Sequence, residues 1–90
     1  MSKTDEEIHA GCMQRFIDLA NGMKEEGIET RIVSAAMTTA TAIYSTYVFA
    51  GNTGRLAPAG VDRLTAAFQQ QLEQVQQARE EQQKAAETPQ

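Results

Sequence analysis

Glu6, His9 and Cys12 have the side chains that could hold a metal or attack a substrate, and they stand at i, i+3 and i+6. Glu-x-x-His on a helix is a ligand pair of di-iron bundles, where carboxylates from facing helices complete the site. The middle of this chain offers no carboxylate. The third apolar segment offers only Asp62 and Glu73 on its ordered part, and neither lies in its apolar stripe. Three ligands from one helix end do not close a zinc site either, although two copies could in principle complete one. Cys12 as a nucleophile needs a base and an activating environment. His9, one turn away, is the sole imidazole of the chain, but Cys12 falls in an apolar stripe and reads as a core residue. With one histidine and no paired buried carboxylates, acid–base catalysis lacks its participants. The reading is a protein that is not an enzyme, with no catalytic, metal-binding or cofactor-binding residue.

Gly51 to Gly60 (GNTGRLAPAG) is rich in glycine, yet it lacks the G-x-x-x-x-G-K-[ST] spacing of a phosphate loop and follows a helical pattern rather than a strand. Arg55 and Arg63 flank it and are weak anion candidates. They carry the alternative function considered for this chain, a small-ligand or anion-binding protein, with tyrosines near the loop. Tyr44 and Tyr47 read instead as core and edge residues whose hydroxyls reach water or a neighbour.

Three helical segments would position these residues. The first spans about Thr4 to Glu26. Thr4 and Glu7 form a capping-box pattern, acidic Asp5 and Glu6 suit the positive end of the helix dipole, and Gly27 is a C-terminal stop. Its stripe is Ile8, Cys12, Phe16, Leu19 and Met23. The second spans about Thr30 to Ala50. Val33, Met37, Ala40, Tyr44 and Val48 share one face, and the apolar arc is about 160° wide at roughly 100° per residue. Its β-branched residues would also suit a strand, but the alanines and the period favour helix. The third runs from Pro58 or Ala59 to near Lys84, with Val61, Leu64, Phe68, Leu72 and Val75 in a narrow stripe. The expected fold is all-α: a small three-helix bundle over residues 4–79 with a polar, partly disordered tail at 80–90. The orientation of the third helix stays open.

Bulk properties narrow the function. The chain has 90 residues, 41% of them apolar, and a net charge of −4. No block is basic enough to track phosphates, so nucleic acid is not an expected partner. A single cysteine fits a reducing cytoplasm, and the acidic start lacks the basic and apolar regions of a signal peptide. Residues 32–54 carry no charge, but six Ser/Thr occur within residues 32–46 and there is no leucine, so a membrane span is not expected.

That uncharged middle helix is the informative feature. An ordinary surface helix carries charges on its outer face. Here the face opposite the main stripe holds Ala35, Thr38, Thr39, Ala42, Thr46 and Phe49. The expectation is that the first and third helices cover one side of it. A protein partner or a second copy, as in a homodimer, covers the other. The plainer alternative is an uncharged face that water solvates.

The runs Phe16-Ile17-Asp18-Leu19-Ala20-Asn21 and Val33-Ser34-Ala35-Ala36-Met37 stand out. So do Ala40-Thr41-Ala42-Ile43-Tyr44 with Tyr47 and Val48, and Val61-Asp62 with Phe68 and Leu72. Over roughly residues 8–76 the chain thereby resembles a family of small, uncharacterised bacterial helical proteins, a domain of unknown function. It departs from that pattern in having Thr39 to Thr46 where the family has more alanine and an arginine. Its tail is also Gln-rich where the family's is more aromatic and acidic. The resemblance implies an α-helical bacterial cytoplasmic protein; it implies no activity and transfers no catalytic residue.

Overall fold

The computed structural model describes residues 3–50, 55 and 57–87, the side chains of residues 49 and 50 excepted. Three helices follow one another: α1 (Asp5–Glu25), α2 (Thr30–Ala50) and α3 (Pro58–Glu87). No strand occurs among the described residues, so the protein is all-α. The chain divides into two compact units, Met1–Tyr44 and Ser45–Gln90, and the boundary falls inside α2.

Local chemistry accounts for the helix ends. The Glu7 amide donates to Thr4 Oγ1 at 3.1 Å, and the Thr4 amide donates to Glu7 Oε1 at 3.4 Å, which completes the capping box. At the other end of α1 the amide of Gly27 donates to the Lys24 carbonyl and that of Ile28 to the Met23 carbonyl. Gly27 adopts φ 97°, a left-handed conformation that glycine alone enters without strain, so the chain turns there. After the four residues Glu26–Glu29, α2 begins, and the amides of Ile32 and Val33 both donate to the Glu29 carbonyl. Pro58 opens α3, where a missing N–H costs nothing, and the amides of Gly60 and Val61 donate to the Ala57 carbonyl.

Order extends further along the polar tail than its composition implies. Residues 80–87 continue α3 to Glu87 instead of leaving the helix, because Glu, Gln, Lys and Ala are all good helix formers. Most of the Gly-rich loop, and residues 88–90, lie outside the described residues.

Burial is where the structure departs most from expectation. Val33 is the one buried hydrophobic side chain among the described residues, at 5% exposure. In the first unit the half-buried positions are Ala20, Gly22, Met23 and Met37, next to the turn between α1 and α2. In the second they are Ser45, Thr46, Gly60 and Leu64, near the 51–57 connection. Among the described residues the three stripes are therefore not enclosed along their whole length. Of the α1 stripe, Ile8, Cys12, Phe16 and Leu19 are exposed, and of the α2 stripe Ala40, Tyr44 and Val48 are exposed. A helix facing one neighbour covers only the row that meets it, and the rest of a wide apolar arc stays in water.

On α1 the half-buried apolar side chains are Ala20 and Met23, while Met13 and Ile17, at 48% and 40%, are exposed but less so than Phe16 and Leu19 on the adjacent row, at 66% and 61%. Both rows are apolar and both recur at helical spacing, so periodicity alone did not choose between them.

Candidate interaction surface

The face of α2 opposite its main stripe is held together by its own backbone. Thr38 Oγ1 donates to the Ser34 carbonyl at 3.0 Å, and Thr39 Oγ1 to the Ala35 carbonyl at 3.1 Å. On the next row Thr41 Oγ1 donates to the Met37 carbonyl at 2.8 Å. Each bond turns a hydroxyl down onto the preceding turn and leaves the γ-methyl outermost. The hydroxyls already have an acceptor, so covering this surface leaves no hydroxyl donor unsatisfied. A stripe that reads as polar in the sequence is, in contact terms, a row of methyl groups.

Ala35, Thr38, Thr39 and Ala42 are exposed and Thr46 is half-buried. The side chain of Phe49 lies outside the described residues.

The remaining candidates are placed as follows. Cys12 is exposed, not a core residue, because it sits on the outer of the two α1 rows. Glu6 and His9 are exposed as well. Among the described residues, no group of three or more His, Cys, Asp or Glu side chains converges as metal ligands do. Arg55 and Arg63 are both exposed, and Arg31 forms an ion pair with Glu29, 2.9 Å on the surface. The hollow at Leu72, Glu73, Gln76, Gln77 and Glu80 is lined by residues of α3 alone and lies open to water. No helix of the described residues is long and apolar enough to cross a membrane.

Phe16 and Leu19 on α1 and the α3 stripe beyond Leu64 lie exposed, where a core of three full stripes would bury them. The signal that pointed this way was chain length: a small domain buries only about 60% of the surface its unfolded chain presents.

Compared with family models, with curated proteins and with solved structures, the chain matches none.

Proposed function

We propose that this protein is a non-enzymatic interaction module that meets a second copy of itself, or another protein, through the uncharged face of α2. The observation that carries the reading is the state of that face. Ala35, Thr38, Thr39 and Ala42 are exposed and uncharged, and the hydroxyls of Thr38 and Thr39 are bonded to their own helix. Small side chains allow close approach of a second backbone, and no charge has to be desolvated when it arrives. The apolar surroundings support the same reading. Among the described residues, fifteen large hydrophobic residues are exposed against one buried, an imbalance that suits surfaces used for association. A cytoplasmic setting belongs to this proposal and rests on cysteine usage.

Sedimentation equilibrium of the wild type and of Ala42→Glu tests it. The wild type should show concentration-dependent self-association. The glutamate places a charge at the centre of the face and should lower the weight-average mass at a given concentration, at unchanged helix content. An unchanged mass with unchanged stability means that water, not protein, covers this face, and the proposal fails. Anion binding through Arg55 and Arg63, both exposed, is the alternative reading.

A further inference from the structure

The apolar stripe of α3 has a symmetry that points to its occupant. Val61, Leu64, Phe68, Leu72 and Val75 are spaced 3, 4, 4 and 3, a series that reads the same in both directions with Phe68 at its centre. Val61, Phe68, Leu72 and Val75 are between 49% and 55% exposed, and Leu64 is half-buried. At roughly 100° per residue the five fall within about 80° of the helix circumference, the narrow seam of a helix that pairs with one other helix. We propose that α3 pairs antiparallel with α3 of a second copy, about a two-fold axis at Phe68. Val61 then meets the partner's Val75, Leu64 meets the partner's Leu72, and the two Phe68 rings meet each other. A self-complementary patch is what a two-fold interface requires.

The polar residues agree with this direction and oppose the parallel one. Arg79 continues the seam five turns beyond Val61. A parallel pair sets Arg79 against Arg79 inside the contact, whereas the antiparallel pair carries it past the start of the partner's α3. The charged Glu80, Glu81, Lys84 and Glu87 also fall beyond the overlap. Neutral side chains, among them Thr65, Gln69, Gln71, Gln76 and Ala78, border most of the seam, so pairing buries little charge. The Thr65 hydroxyl already donates to the Val61 carbonyl at 2.8 Å and loses nothing when covered. Overlap of about 30 Å of helix, at 1.5 Å per residue, gives a contact at the low end of stable interfaces, so the pairing is reversible and depends on concentration.

Cross-linking tests the register. In the full chain carrying Cys12→Ser, Val61→Cys and Val75→Cys are made separately, and helix content is checked for each. Positions 61 and 75 lie about 21 Å apart along the helix, far beyond the ~7 Å limit of a disulfide. Under oxidation an equimolar mixture should yield a 61–75 linked dimer, while neither variant alone should link. Self-linking of either variant demands a parallel pair and overturns the proposal, as does a mixture that stays unlinked. The seam shares no residue with the α2 face, so adding Ala42→Glu should leave the 61–75 link in place. Loss of the link in that background overturns the independence of the two surfaces.

Discussion

Val33 and Val48 make a controlled pair, because both are valines on α2 and they differ in burial: 5% against 77% exposed. Replacing a fully buried valine by alanine removes two methyl groups, worth roughly 1.6 kcal/mol. Scaled by exposure, the loss is about 1.5 kcal/mol at Val33 and about 0.4 kcal/mol at Val48. Alanine is also the better helix former, which offsets about 0.5 kcal/mol at each site. Val33→Ala should therefore cost about 1 kcal/mol, and more if the vacated space does not close. Val48→Ala should be neutral within about 0.3 kcal/mol. For a chain of this size the first change lowers the melting temperature by roughly 4–8 °C. The assay is urea unfolding followed by far-UV circular dichroism, run at two low protein concentrations so that association does not enter. If Val48→Ala costs as much as Val33→Ala, Val48 is covered in solution and the burial pattern described above is wrong. If Val33→Ala is silent, the packing at the α1–α2 turn does not hold the first unit together.

Two further outcomes rest on the helix ends. Thr4→Ala removes the acceptor for the Glu7 amide and should destabilise by about 1 kcal/mol in the same assay; no change would mean that α1 starts elsewhere in solution. Gly27→Ala and Gly22→Ala should move in opposite directions. A Cβ at either position meets nothing within 4 Å, so sterics with neighbours do not enter. Gly27 has φ 97° and alanine there should cost about 1 kcal/mol, whereas Gly22 lies inside α1 and alanine there should stabilise by about 0.5–1 kcal/mol. Destabilisation by both would show that Gly22 serves close approach rather than mere tolerance.

The two proposed surfaces make different demands on the same chain. The α2 face offers small groups and self-satisfied threonines, a surface that many partners could cover. The α3 seam offers five larger side chains in a symmetric order, which a second copy matches in one direction. The sedimentation and cross-linking results therefore separate the proposals: a mass insensitive to Ala42→Glu together with an intact 61–75 link retains the seam and discards the α2 face.

The amino-acid sequence by itself determined the three helices and most of their ends. Thr4 with Glu7, Gly27 and Pro58 act on groups within four residues of themselves, so their effect needs no knowledge of the rest of the chain. It also determined that α2 carries no charge on any side after Arg31. The sequence did not determine which apolar row would be covered. Cys12 and Met13, Phe16 and Ile17, Leu19 and Ala20 are neighbouring apolar pairs, and a period of 3.6 accepts either member of each. Nor did it show that Thr38 and Thr39 bond to their own turn, or that Val33 is enclosed where Tyr44 is not. Burial depends on which faces the chain brings together across long separations, and hydroxyl partners depend on side-chain rotamers. Tertiary packing decides the first; the second is settled within the helix by the rotamer, which residue spacing does not specify.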